Sequence, residues 1–126
     1  MNVPDWVGYL RFRPAFGEVI DPRYYTLDWL DEQILQCKAQ FWRTDNAALV
    51  TEFKAYPAGA VDIHVVIAAG DMREIIEVLA PLAEDMGRAN GCIAATVESR
   101  AGWAKALKPY GYEAFQTVVR KELSWA

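Results

Sequence analysis

Residues 47–71, AALVTEFKAYPAGAVDIHVVIAAGD, decide the fold of this chain. Two runs rich in β-branched and aromatic residues, 47–56 and 60–69, flank the turn Pro57-Ala58-Gly59. Because a short Pro/Gly turn of this kind joins antiparallel strands, the stretch predicts a β-hairpin. The second run is apolar on both faces toward its end, which is typical of a central strand. The hairpin therefore predicts a sheet with residues 60–69 near its middle.

Alternation along this central strand predicts which side chains share a face of the sheet. One face is expected to carry Val61, Ile63, Val65 and Ile67, and the other Asp62, His64, Val66 and Ala68. His64 is the one histidine of the chain. Its imidazole and the Asp62 carboxylate are thus expected to project from the same face.

Downstream of the hairpin the pattern changes to helical spacing. Asp71 and Glu74 have capping-box spacing and predict a helix over residues 72–88, kinked at Pro81 and ended by Asn90-Gly91. Its buried stripe is expected to consist of Met72, Ile75, Ile76, Leu79, Leu82 and Met86. The rest of the chain predicts a short buried strand over 92–97, a short helix over 101–110 and a last, alternating strand over 112–123.

Upstream of the hairpin, the pattern predicts an amphipathic helix over residues 26–42 with Thr26 as its N-cap. Its apolar stripe is Leu27, Leu30, Ile34, Cys37 and Phe41. The aromatic-rich segment 1–25 predicts a short strand over 7–13 that Pro14 and Gly17 break. Its aromatic side chains are expected to cover one side of the core, the alternative being an arm that docks a partner.

The order of these elements predicts an α/β (α+β) fold, a mixed sheet with helices on its faces. The chain has 126 residues, 53% of them hydrophobic, and a formal net charge of −4. This length predicts one domain over residues 1–126, and the composition excludes a disordered chain. The acidic excess argues against a nucleic-acid partner. One histidine and two cysteines are too few for a conventional zinc site, so we expect no metal.

The first residues show neither the basic nor the apolar region of a secretory signal. The longest apolar run, residues 65–69, is far too short to cross a bilayer. Two cysteines do not make a disulfide framework. We therefore expect a cytoplasmic protein with no membrane partner.

The stretch 91–123, GCIAATVESRAGWAKALKPYGYEAFQTVVRKEL, carries a recognisable outline. In it Arg100-Ala101-Gly102-Trp103 is followed by Leu107 and by Gly111-Tyr112, and upstream lie the YPAG turn at 56–59 and the segment 67–71. In these features the chain resembles the GNAT superfamily of acetyltransferases, in particular the small, divergent GNAT-like proteins of bacteriophages and prophages. The resemblance covers residues 45–124. It implies a mostly antiparallel central sheet with helices on both faces.

The resemblance also implies acetyl-CoA as the cofactor, held beside strand 60–69 with its pyrophosphate on backbone amides where the next helix begins. The cofactor-binding residues it implies are Ala69, Gly70, Met72 and Arg73. Ile67 and Met72 depart from the family's loop pattern, and a capping Asp71 places a carboxylate beside the pyrophosphate position. We therefore expect acetyl-CoA binding to be weak or absent. Arg73 either offsets this charge or lies exposed on the helix.

For catalysis the resemblance places His64 or Asp62 beside the thioester as the general base, and His64 has the better-suited pKa. The alternative for His64 is a half-buried structural histidine. The family's usual acid is a tyrosine at the position of Leu107, and Tyr110 points in another direction along the helix.

The Arg100-Ala101-Gly102-Trp103 motif is expected to serve the scaffold. In this interpretation Arg100 satisfies carbonyls or pairs with a carboxylate, Gly102 lets the helix approach the sheet, and Trp103 fills space beneath it.

Two functions stay open. The first is an acetyl-CoA-dependent N-acetyltransferase, phage-encoded, that acts on a small-molecule or protein amine in a bacterial or phage-infected cell. The second is a catalytically inactive GNAT-fold module that binds a protein partner as a phage accessory or virion component. The aromatic content is also compatible with a homodimer. The sequence leaves the choice between enzyme and binding module undecided.

Overall fold

The computed structural model describes residues 4–98 and 101–124. Its sheet has four strands in the order β1 (Ala39–Arg43), β2 (Ala47–Ala55), β3 (Val61–Gly70) and β4 (Ala94–Val97). The strands β1, β2 and β3 are antiparallel to their neighbours, and β4 runs parallel to β3. The predicted hairpin and its central strand are confirmed.

Helices cover both faces of the sheet. One face carries α1 (Trp6–Val19) and α2 (Leu27–Leu35), and the other carries a continuous helical stretch made of α3 (Met72–Glu74), the π-helical segment Ile75–Leu79 and α4 (Ala80–Ala89). After β4 follow α5 (Ala101–Leu107) and a 3₁₀ turn, Lys108–Tyr110. The predicted fold class, a mostly antiparallel mixed sheet with helices on both faces, is confirmed. Among the described residues no helix is both long and apolar enough to cross a membrane.

The predicted strand over residues 7–13 is wrong, because this segment lies within α1. The side chains of Tyr9, Phe12 and Phe16 recur at helical spacing and are buried against the sheet. Asp5 caps the helix by accepting a hydrogen bond from the Gly8 amide at 3.1 Å. Pro14 lies inside the helix and lacks one N–H, but burial of the aromatic stripe outweighs that lost bond.

The predicted helix over residues 26–42 begins where expected but is too long. Thr26 is its N-cap and accepts from the Trp29 amide at 3.1 Å. The helix ends at Leu35, and Cys37 adopts a left-handed conformation with φ of 56°. The chain then enters β1, where Phe41 packs edge-on against Tyr9. Pairing with β2 satisfies the backbone there, which helical spacing alone could not reveal.

A hydrogen-bonded clamp joins α1 to α2. The Arg13 guanidinium donates to both carboxylate oxygens of Asp31 at 2.8 Å, and the Tyr9 hydroxyl donates to the same carboxylate at 2.6 Å. The Arg13 guanidinium thereby holds the pKa of Asp31 below its usual value. This clamp fixes the two helices whose residues line one side of the candidate site.

The predicted helix over residues 72–88 is confirmed in extent, but its buried stripe shifts. Pro81 cannot donate to the carbonyl one turn before it, and the π-helical segment precedes it, with the Ala80 amide donating to the Ile75 carbonyl. This wider turn inserts one residue into the helical repeat. Downstream of it Ala83 and Gly87 are buried, while Leu82, predicted to be buried, is 47% exposed. Met72, also predicted to be buried, is 44% exposed at the start of the helix.

The faces of β3 also differ from strict alternation. The β2–β3 register pairs Val50 with Ile67 and Thr51 with Val65, so Val66 is an extra residue, a β-bulge. Beyond it the faces exchange. Ile67, predicted with Ile63 and Val65, packs instead toward α1 and α2, whereas Ala68 packs toward α4.

The predicted last strand over 112–123 is wrong, since the described part of this segment pairs with no strand. Phe115 and Val118 are 86% and 87% exposed. The segment leaves the sheet and runs toward the α1–α2 connection, where Arg120 lies over the Tyr24 ring at 5.4 Å. Alternation predicts a strand only where a ladder partner exists.

Candidate functional site

The strands β3 and β4 pair over four residues and then diverge. Their parallel ladder joins Asp62–Val65 to Ala94–Val97 and stops immediately before the Val66 bulge. Past that point β3 remains paired with β2 as far as Gly70. The opening between the strands forms a cavity of about 390 Å³, called the splay cavity below. Among the residues that line it are Val66, Ala69, Ala80, Val97, Leu107 and Tyr112.

The splay cavity is apolar along most of its length and has one row of unused backbone groups. Because β4 has ended, the peptide groups of residues 66–69 that point toward β4 have no ladder partner among the described strands. An extended ligand with amide groups could pair with them as a further strand would. The arrangement therefore suits a long, narrow ligand with both apolar and peptide-like parts.

Three of the four predicted cofactor-binding residues lie together at one end of the splay cavity. Ala69, Gly70 and Met72 line it. Gly70 has φ of 100°, and a Cβ there would collide with the Asn46 carbonyl, so glycine is required for this turn. Arg73 is not part of the lining, because its side chain is 83% exposed and paired with Glu77 at 2.9 Å.

The start of the helix is capped as predicted. The Asp71 carboxylate accepts from the Glu74 amide at 3.0 Å, and the Asp71 amide donates to the Asn46 carbonyl at 2.9 Å. This leaves the amides of Met72 and Arg73 in the first turn as donors for an anion. It also places a negative charge next to them.

A second cavity, of about 330 Å³, lies on the α1–α2 side of β3. It is called the His64 cavity below, and Tyr25, Trp29, Glu52, Lys54, His64 and Glu98 are among its lining residues. The two cavities share Val19, Val66, Ile67 and Glu98. They therefore meet at the bulge.

His64 is buried with one nitrogen bound and the other without a hydrogen bond among the described residues. Its Nδ1 lies 2.8 Å from the Thr96 hydroxyl, and its Nε2 lies 3.9 Å from the Glu98 carboxylate. Its side chain is 8% exposed. Burial lowers the pKa of His64, and the Lys54 ammonium lowers it further, against the opposing effect of Glu98 and Asp62. In the tautomer that donates from Nδ1, a neutral His64 has a lone pair on Nε2.

Asp62, the other predicted base, is not brought to the site. It pairs with Ala94 in the β3–β4 ladder, two residues before His64 on the same face, and lines neither cavity. Its carboxylate acts on the site only by raising the pKa of His64 through its charge.

The structure adds a hydrogen-bonded pair that the sequence did not indicate. Tyr112 and Glu84 both line the splay cavity, and the Tyr112 hydroxyl donates to the Glu84 carboxylate at 2.8 Å. Burial, followed by this hydrogen bond, raises the pKa of Tyr112. Leu107 is buried in the same lining, whereas the Tyr110 hydroxyl is turned away to Glu77 at 3.1 Å. The one sequence feature that could have indicated a role for Tyr112 is its position directly after Gly111.

The scaffold motif is confirmed only in part. Trp103 packs in the core between the sheet and α4. The predicted role of Gly102 is wrong, because a Cβ at that position would meet nothing within 4 Å. Arg100 lies outside the described residues.

No protein-family model and no curated protein matches the chain. Solved structures do. An acetyltransferase from Trypanosoma brucei is 11% identical, with 97% of each chain covered and a TM-score of 0.69. An aminoglycoside antibiotic 6'-N-acetyltransferase from Acinetobacter haemolyticus is 14% identical over 100% of each chain, with a TM-score of 0.67. The chain has the GNAT N-acetyltransferase fold.

A third structure with this N-acetyltransferase fold bears on the ligand. A predicted acetyltransferase from Clostridium acetobutylicum, solved with acetyl-CoA, is 10% identical, with 93% of this chain and 88% of that chain covered and a TM-score of 0.65. The residues of the splay cavity fit such a ligand in part. The free peptide groups of 66–69 suit its amides, whereas Asp71 does not suit its pyrophosphate. Among the described residues no group of three potential metal ligands comes together.

Proposed function

We propose that the chain is an acetyl-CoA-dependent N-acetyltransferase. The observation that carries the proposal is the meeting of two cavities at the Val66 bulge, beside a buried histidine. A transfer between two substrates needs two sites whose ends approach each other. In this proposal the splay cavity holds acetyl-CoA and the His64 cavity holds the amine.

When bound, acetyl-CoA supplies a thioester carbonyl carbon that receives the amine nitrogen as the carbon–sulfur bond breaks. Within the splay cavity, the peptide groups of residues 66–69 that face β4 would hold the donor's amides. The amides of Met72 and Arg73 would hold the pyrophosphate, next to the Asp71 carboxylate.

The role of His64 is to accept a proton. An amine that arrives as an ammonium gives one proton to Nε2 of His64, which passes it to water. The second proton leaves the nitrogen on acetylation and neutralises the departing thiolate. Neutral imidazole suits the first step, because burial keeps the pKa of His64 below its usual value.

One observation favours a second candidate, a catalytically inactive module that binds a partner protein, of the kind a phage could use as an accessory or virion component. The Asp71 carboxylate lies at the start of the helix, and Arg73 is paired with Glu77 rather than free for a phosphate. Such a module would retain the fold and have no measurable affinity for acetyl-CoA.

Calorimetric titration of the full chain with acetyl-CoA, together with a thiol-release assay, separates the two candidates. The matched variants are Ala80→Phe, which fills the splay cavity, and Ala104→Phe on the exposed surface of α5. We expect binding to the parent chain and to Ala104→Phe, and a loss of at least about tenfold in affinity, or about 1.4 kcal/mol, in Ala80→Phe. No heat with the parent chain at millimolar ligand would end the enzyme proposal. Equal affinity of all three proteins for acetyl-CoA would show that the ligand does not bind in the splay cavity.

A further inference from the structure

One carboxylate of the His64 cavity, that of Glu52, has no partner among the described residues. Glu52 of β2 lies directly opposite His64 of β3 in the antiparallel register. Among the described residues the Glu52 carboxylate makes no hydrogen bond and no ion pair. The other two carboxylates of the lining are engaged: Asp21 accepts from Arg23 at 2.9 and 3.1 Å, and Glu98 accepts from Lys54 at 3.3 Å.

Two aromatic rings line the cavity. The rings of Tyr25 and Trp29 have centroids 4.9 Å apart and planes inclined at 41°, and both residues belong to the lining. Aromatic rings attract cations through their faces and bury apolar groups at the same time. A ligand with a cationic end and an apolar body satisfies both the rings and the free carboxylate.

The charge of the lining points the same way. Asp21 is paired with Arg23 and Glu98 with Lys54, so Glu52 carries the one negative charge of the lining that no described residue compensates. Burial lowers the pKa of His64, which favours its uncharged form. An uncompensated negative charge in a cavity attracts a cation. The imidazole of His64 is more than nine-tenths buried, and its Nε2 makes no hydrogen bond among the described residues.

The volume sets the size of the ligand. A space of about 330 Å³ lies at the lower end of the range of small-molecule sites, roughly 300–1,000 Å³. It accommodates one compact organic body.

We propose that the His64 cavity binds a small primary amine in its ammonium form, with the ammonium at Glu52 and an apolar or aromatic body against Tyr25 and Trp29. The proposal rests on the proposed function, for which this amine is the acetyl acceptor. It selects a small molecule over a protein amine as the acceptor class. Glu52 is then the residue that distinguishes a cation from a neutral molecule of the same shape.

The test uses 2-phenylethylamine as the probe and 2-phenylethanol as its neutral match, titrated calorimetrically into the full chain without acetyl-CoA. We expect the amine to bind at least about tenfold more tightly than the alcohol. In Glu52→Gln, which keeps the shape of the side chain, the amine is expected to lose about tenfold and the alcohol to be unchanged. In Trp29→Leu both are expected to weaken. Thermal melts of the variants show whether each has folded.

Three results would overturn the inference: no amine binding, equal binding of amine and alcohol, or an unchanged amine affinity in folded Glu52→Gln. Tighter binding of a short lysine-containing peptide than of the amine would overturn the choice of a small molecule. A thiol-release assay keeps the two proposals distinguishable. Amine binding that depends on Glu52 without acetyl transfer supports this inference and contradicts the proposed function, whereas transfer that is independent of Glu52 does the reverse.

Discussion

The splay cavity and the His64 cavity share β3, yet they differ in chemistry. The splay cavity is mostly apolar and is bounded by the peptide groups of residues 66–69 that have no ladder partner on the β4 side among the described strands. The His64 cavity has three carboxylates, a lysine and a buried imidazole in its lining. The two cavities meet at one inserted residue, Val66: the β4 ladder stops immediately before this bulge, and the faces of β3 exchange beyond it. The peptide groups of the splay cavity suit a long acetyl donor that can pair with them. The charge of the His64 cavity suits a small, cationic acetyl acceptor.

The largest expected effect of a single substitution is on the chemical step in the His64 cavity. His64→Asn keeps an amide that can reach Thr96 but removes Nε2, the proposed proton acceptor. We expect kcat for acetyl transfer to fall by about 10²–10⁴-fold, the usual contribution of a general base. Affinity for acetyl-CoA should stay close to that of the parent chain, because the splay cavity is unchanged. Steady-state kinetics and calorimetry measure the two quantities.

The control for this substitution is Thr96→Val, which keeps the imidazole and removes the partner of Nδ1. Thr96→Val should lower kcat by less than His64→Asn does, because the imidazole loses the hydrogen bond that orients it but keeps Nε2, the proton acceptor. Unaltered turnover in a folded His64→Asn variant would show that His64 is a structural histidine. The His64 cavity would then have no catalytic role.

The second effect tests the splay cavity through its α4 side. Gly87 allows close approach of α4 to β3, since a Cβ there would lie 2.8 Å from the Ile63 methyl group. Gly87→Ala should destabilise the fold by about 1–3 kcal/mol, as overpacking does, and weaken acetyl-CoA binding as α4 shifts. Amine binding in the His64 cavity should change less. Urea unfolding and the two titrations measure these effects.

Gly102→Ala is the matched control, because a Cβ at Gly102 meets nothing within 4 Å. Its stability should be unchanged or raised by about 0.5–1 kcal/mol, the usual gain of alanine over glycine in a helix. Equal destabilisation by both substitutions would show that the close approach at Gly87 does not limit the packing of α4.

The sequence predicted those features that follow from short-range chemistry. The Pro57-Ala58-Gly59 turn indicated the hairpin, and the Asp71 cap indicated where the second long helix begins. These features depend on side chains a few residues apart. The fold class followed from the order of the elements.

What the sequence could not predict depends on insertions and on long-range pairing. Strict periodicity placed Ile67 on the wrong face of β3 and Leu82 in the core, because each lies after an inserted residue. The opposition of Glu52 and His64 depends on the β2–β3 register, which neither strand specifies alone. In α1, Pro14 indicated a break that buried aromatic packing overrides.

The third prediction tests the polar pair of the splay cavity. Tyr112→Phe removes the hydrogen bond to Glu84 and should lower the free energy of unfolding by about 0.5–1.5 kcal/mol. Tyr110→Phe is the control, since its bond to Glu77 lies on the surface and should matter little. Amine affinity should not change in either variant. A loss of amine affinity in Tyr112→Phe would show that the two cavities are coupled beyond the bulge.

The smallest expected effect is a displacement of the pH profile, and it compares the charges around His64 directly. Glu52 and Lys54 of β2, Asp62 of β3 and Glu98 after β4 surround the imidazole. Burial lowers the pKa of His64 from 6.5, so neutral His64, the active form, persists somewhat below that pH. The acid limb of kcat/KM should therefore have its midpoint below pH 6.5.

Charge substitutions should move this midpoint in opposite directions by less than about one pH unit each. Lys54→Met removes the charge that disfavours imidazolium and releases Glu98, so the midpoint should rise. Glu98→Gln removes a favourable charge and releases Lys54, so the midpoint should fall. Shifts of the same sign, or a parent midpoint at or above pH 6.5, would mean that His64 is not the group that titrates. His64 binds a proton less readily in the folded chain than in the unfolded chain, because its pKa is lower there. The free energy of unfolding should therefore decline as the pH falls through this range.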